Sequence, residues 1–199
     1  ILSNQVSLVA GPITDAFGRI RVSNPIGLFD SQLQYGLRTW SASRYDVWEQ
    51  TLTANGGEAV THLPNESSAN LTLGTVSGSK VVRQQHLHNR YQPGKSQLIF
   101  LTGVCAPKTN TRQRLGYFNA LDGVFFEHDG VNAKFVLRTS TSGSASDANF
   151  VNQADWNVAG FNTAINNRNP SGFTGATAVN WAKGQIWFID LEWLSLGTV

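Results

Sequence analysis

Apolar and polar residues alternate along this chain in short period-two runs, separated by Gly, Asn, Asp and Pro. No stretch longer than about three turns sustains a capped 3.6-residue apolar period. The pattern predicts an all-β fold, because successive side chains of a strand point to opposite faces, whereas a helix needs apolar residues three and four apart. The sharpest local signal is the run from Gly123 to His128, then Asp129-Gly130, then residues 131–138. An Asp-Gly pair between two such runs suits a type I′ hairpin turn, whose central residues both take φ > 0. In the second run Val131, Ala133, Phe135 and Leu137 share one face, and Asn132, Lys134 and Arg138 take the other. A second strand is predicted over 185–194, where Trp187, Ile189, Leu191 and Trp193 alternate with Ile186, Phe188, Asp190 and Glu192. Both sets contain apolar residues, so this strand is expected in the middle of a sheet, covered on two sides.

Further strands are predicted at 28–37, 45–52, 69–75, 80–85, 96–103 and 114–119. Together they make an antiparallel two-sheet β-sandwich, jelly-roll or concanavalin-like, the economical arrangement. Pro93-Gly94 reads as a turn, 139–147 as an exposed Ser/Gly/Thr-rich loop, and 152–180 as irregular connections. Residues 1–16 are expected to form an N-terminal arm or a first strand, and 17–199 a single sandwich domain. The absence of Met, even at position 1, and an end at Gly197-Thr198-Val199 directly after an apolar segment suggest an excerpt of a longer chain.

Charge narrows the picture. Of the 199 residues only 14% are charged, against about 25% in an average protein, and the formal net charge is +2. A polar but mostly uncharged surface is expected. No block of like charge stands out: Lys80, Arg83, Arg90 and Lys95 are interrupted by Gln, His and Asn, which argues against nucleic acid as a partner. Cys105, the single cysteine, rules out an intramolecular disulfide and, among Leu101, Val104 and Ala106, reads as a buried thiol. The chain has no apolar run of 18 residues and its start does not resemble a signal peptide, so a soluble protein without membrane insertion is expected.

Candidate chemistry is sparse. On a strand, Asp190 and Glu192 point to one face about 7 Å apart, a distance that suits glycoside hydrolysis. Retaining glucanases with a concanavalin-like sandwich use a Glu-x-Asp-x-Glu strand, and Phe188-Ile189-Asp190-Leu191-Glu192 is similar except that Phe188 replaces the nucleophilic Glu. The pair therefore reads better as sheet-surface carboxylates than as catalysts. His86 and His88 share a strand face but lack a third metal ligand, and the Gly-Lys-Ser of 91–96 lacks the spacing of a phosphate loop. No catalytic residue, metal or cofactor is expected. Among the aromatics, Trp187 and Trp193 are expected in the core. Trp40, Tyr45, Trp48, Trp156 and Trp181 lie near loops, where they suit glycan stacking or a protein interface.

Several motifs belong to a recognisable series: Phe17-Gly18-Arg19-Ile20-Arg21-Val22-Ser23, Leu28-Phe29-Asp30-Ser31, Tyr91-Gln92-Pro93-Gly94-Lys95-Ser96-Gln97, Gly116-Tyr117-Phe118, Gly123-Val124-Phe125-Phe126-Glu127, and Ile189-Asp190-Leu191-Glu192-Trp193-Leu194. Over nearly its whole length the chain resembles a group of virion structural proteins from tailed phages, many of them marine or aquatic. The resemblance implies a non-enzymatic structural role on the capsid, neck, tail or a fibre, with identical subunits and other virion proteins as partners. The alternatives are a lectin-like adhesion domain that binds host surface glycan and, less favoured by the residues, a glucanase-type hydrolase.

Overall fold

The computed structural model describes residues 27–43, 46–53, 56–90, 96–156 and 179–191. Its strands are antiparallel throughout, and the chain divides into two compact units, Ile1–Pro93 and Gly94–Val199.

In the first unit β1 (Trp48–Thr53) pairs with β4 (Lys80–Gln85), while β2 (Ala59–Leu63) and β3 (Ser68–Thr72) form a hairpin inserted between them. Pro64–Glu66 makes the tight connection of that hairpin, and Ser67 leaves it in the left-handed region at φ 48°. Residues 28–37, expected to be a strand, are none. They hold a turn and several exposed side chains, and an isolated bridge, Thr39 to Trp48, follows them.

The second unit contains β5 (Gln97–Gly103), β6 (Gln113–Phe118), β7 (Gly123–His128), β8 (Ala133–Thr139), β9 (Ser146–Asn152) and β10 (Gln185–Leu191). Strands β6 to β9 form a four-stranded meander, and β5 pairs with β10 as a ribbon. The ribbon's inner face, with Leu101 and Trp187, packs on the meander face that carries Leu115, Phe126, Ala133 and Phe135; Cys105, Trp156 and Trp181 complete the cluster. The Phe126 ring lies 5.3 Å from Trp187 and 5.0 Å from Trp181. Each large ring buried there contributes about 2 kcal/mol or more from desolvation alone. This is the two-layer sandwich that the alternation predicts.

The hairpin turn is set one residue later than the sequence suggests. His128 pairs with Ala133, and the Asp129 amide donates to the Asn132 carbonyl, so the central residues are Gly130 and Val131. Gly130 has φ 93°, as the first central position of a type II′ turn requires. Asp129 serves instead as a cap, its Oδ1 accepting from the amides of Val131 and Asn132. Two other expectations change. β9 occupies part of the stretch read as loop, and β10, read as a central strand, has β5 as its one partner among the described residues.

Candidate functional site

Period-two alternation gives the β5–β10 ribbon two unlike faces. One is the core face. The other carries Leu98, Phe100 and Thr102 from β5, and Ile186, Phe188 and Asp190 from β10, in the pairs Leu98–Asp190, Phe100–Phe188 and Thr102–Ile186. Phe100 is 67% exposed, Ile186 76% and Phe188 43%. The two phenylalanine rings stack with centroids 5.9 Å apart. Asp190, at the Leu98 end of the face, has both carboxylate oxygens covered, and the exposed side chains Phe100, Ile186 and Phe188 are apolar. Single exposed apolar residues are ordinary, but a contiguous group marks a contact surface.

A different chemistry is found in the first unit. Asp30, Gln32, Gln34, Tyr35, Arg38 and Asp46 line an open cleft of about 460 Å³. Tyr35 is 97% exposed at its rim. Arg38 takes φ 50°, uncommon for a side-chain-bearing residue, and its Nε donates to Asp46 Oδ1 at 3.1 Å. The Asp46 carboxylate also accepts from the Val47 amide, which fixes the floor. A ring flanked by amides, carboxylates and a guanidinium can stack on a sugar ring and bind its hydroxyls.

The remaining polar clusters are neutralised internally. Glu49 accepts a hydrogen bond from Gln84 and pairs with His86 Nδ1 at 3.0 Å, and these bonds, Gln84's foremost, hold its carboxyl below the ordinary value. His86 also stacks on Trp40 at 4.5 Å, so the imidazole considered as a metal ligand is occupied. His88 is exposed, and no group of three metal-ligating side chains occurs among the described residues. On the outer face of the meander, Glu127 is 2% exposed and meets Arg114 at 2.6 Å, Lys134 at 3.0 Å and Arg112 at 3.6 Å. Asp147 binds Arg138 at 2.7 Å and Arg114 at 3.1 Å, and hydrogen bonding from Arg138 lowers its pKa. The Arg114 and Arg138 guanidinium groups lie 5.0 and 5.3 Å from the Phe125 ring centroid, placing the ion network over an apolar floor.

The predicted site aromatics are dispersed. Trp156 and Trp181 pack against the core of the second unit. In the first unit Trp48 is half-buried, its Nε1 donating to Ser31 at 2.7 Å under the Arg83 guanidinium, and Trp40 rests on His86. Tyr45 lies outside the described residues, as does Glu192, so of the carboxylate pair only Asp190 is placed, opposite Leu98 on the ribbon. Cys105 is buried as expected, and burial pushes its thiol up to about 11. Sequence reading missed the two surfaces with the most open chemistry. Alternation over 185–191 did flag apolar residues on both faces, but it does not tell a buried face from a more exposed one.

Among the described residues no helix is long and apolar enough to cross a membrane. Compared with family models, curated proteins and solved structures, the chain matches none.

Proposed function

We propose that this chain is a non-enzymatic structural protein of a tailed-phage particle, acting by packing against identical subunits and other virion proteins. The observation that carries the reading is the apolar outer face of the β5–β10 ribbon, on which Phe100 and Ile186 are largely exposed. The motif series described above supplies the virion context. Two further features support it: the charged side chains of the meander are consumed in their own network, and the low overall charge lets many copies crowd without repulsion. Mass spectrometry and cryo-electron microscopy of purified virions test it. The expected result is this chain in many regularly arrayed copies, and its absence from purified particles would overturn the reading.

A second reading, a lectin-like module, is favoured by the Tyr35 cleft alone. It requires selective signals on a glycan array that Tyr35→Ala removes. Equal signals from the variant, or none from the native chain, dispose of it.

A further inference from the structure

We infer that the Tyr35 cleft of the first unit takes a neutral saccharide and that Asp30 makes it refuse acidic ones. The inference rests on the lectin-like reading above and names the ligand class of that site.

Residues 30–38 form no strand, yet the sheet strands hold this segment at intervals. Trp48 Nε1 of β1 donates to Ser31 Oγ at 2.7 Å, and His62 Nε2 of β2 donates to the Leu33 carbonyl at 2.7 Å. Arg83 of β4 donates to the Leu37 carbonyl, and Gln50 of β1 to Thr39 Oγ1 at 2.9 Å. The four anchored residues are half-buried, whereas Asp30, Gln32, Gln34, Tyr35 and Arg38, interspersed with them, are exposed. Those five, with Asp46, line the cleft. One side of the segment is held and the other is left for contact. Side chains from three strands fix the backbone before any ligand arrives, so binding does not carry the entropy cost of ordering a loop. The cleft, about 460 Å³, has a volume within the roughly 300–1,000 Å³ of small-ligand sites.

The lining selects the ligand. Among its residues the Tyr35 ring is the one apolar surface, which leaves little for an apolar occupant. The amides of Gln32 and Gln34 each offer donors and an acceptor, and the Asp30 carboxylate offers two acceptor oxygens. Hydroxyl groups, which donate and accept, satisfy such a mixture, while the ring supplies a flat face for the C–H side of a pyranose. Charge then divides the saccharides. Arg38 is paired with Asp46 at 3.1 Å, so the lining sets two carboxylates against one guanidinium, and the surplus negative charge belongs to Asp30. A uronic or sialic acid meets a like charge there, and a neutral sugar does not.

The test is isothermal titration of the full 199-residue chain. The probes are maltohexaose, cellohexaose and the N-acetylglucosamine hexamer, then oligomers of sialic and galacturonic acid, then hexalysine. The native chain is expected to bind at least one neutral hexasaccharide and no acidic oligomer. Tyr35→Ala is expected to weaken that binding about tenfold, and Tyr35→Phe to keep it. Asp30→Asn, which keeps the shape and removes the surplus charge, is expected to keep the neutral ligand and to admit the acidic oligomers. Both side chains are exposed, so circular-dichroism spectra and melting temperatures are expected to be unchanged. Acidic oligomers bound as tightly as neutral ones, or still refused by Asp30→Asn, overturn the inference and leave the lectin-like reading standing. A Tyr35→Ala variant that binds as the native chain does overturns both. Hexalysine bound more tightly than any saccharide, and lost in Tyr35→Ala, gives the cleft to a basic peptide and also overturns both. A chain that binds none of the probes overturns the inference, and the glycan array then decides the lectin-like reading by itself.

Discussion

At the scale of single residues, the second unit hides two polar side chains at the end of β7, and each makes a prediction. Glu127 is surrounded by Arg112, Arg114 and Lys134, and it repays its desolvation only because those bonds are made. Glu127→Gln leaves the cations short of their anion, though Arg114 keeps Asp147 and Lys134 keeps Asp129. A loss of about 3 kcal/mol is expected in urea denaturation, and a loss below about 0.5 kcal/mol would show that the network contributes little. His128 is buried, and its Nδ1 accepts from the Gly130 amide at 3.1 Å, which requires the neutral ring. Burial lowers its pKa, with Asp129 opposing weakly. The unfolded chain therefore takes up the proton first. The stability that His128 confers is complete above its ordinary value of 6.5 and drains away as pH falls below it. Melting temperature should decline between about pH 7 and pH 5, before the carboxylates titrate. His128→Asn, which keeps an acceptor but cannot titrate in this range, should flatten that slope; an unchanged slope would assign the effect elsewhere.

At the scale of elements, the meander depends on a close approach between β6 and β7. Gly116 sits opposite Phe125, and a Cβ on it would lie 2.5 Å from that residue's Cα and Cβ. Gly116→Ala should therefore cost about 2 kcal/mol in thermal or chemical denaturation, since backbone must move to admit one methyl. Full native stability would mean that the strands separate more easily than their register implies. Much of the strand pattern is legible in the sequence: 80–85 and Gly123–His128 are found at their bounds, and 96–103 and 114–119 within one residue. The failures have physical causes. Asp129 is as good a cap as a turn centre, so Asp-Gly did not fix the turn's register. The Ser-Asp-Ala-Asn-Phe-Val-Asn of β9 has poor intrinsic strand character and is ordered by its ladder with β8 and by Asp147 meeting Arg138. The short β2 was bracketed by Gly56-Gly57 and Pro64, a signal that was present but not used. The pairing of β5 with β10 was out of reach, because alternation assigns faces but not neighbours. The Tyr35 cleft was hidden for a related reason: it gathers scattered polar residues with no periodic signal.

At the scale of the whole molecule, the second unit has both layers and its own apolar cluster, the minimum for independent folding. A fragment spanning 94–199 is expected to melt cooperatively with a β-type circular-dichroism spectrum; a non-cooperative melt would show that the first unit is needed. Charge supplies a second prediction. If assembly runs through the largely apolar ribbon face, raising salt from about 0.1 to 1 M should leave self-association unchanged or strengthen it, whereas an ion-paired interface would weaken as screening shortens the reach of charge. Sedimentation at the two salt levels distinguishes them.

The two strands of that ribbon come from distant parts of the chain, with the whole meander between them. The meander is built from local hairpins and can zip as it is synthesised, but its inner layer has no complete cover until residue 191 has been made. Order of synthesis thus becomes a property of the fold: a nascent chain halted before β10 carries Phe126 and its neighbours bare. The late-arriving strand then closes the core with one face and, with the other, completes the exposed apolar face, so that face exists only once the core has been covered.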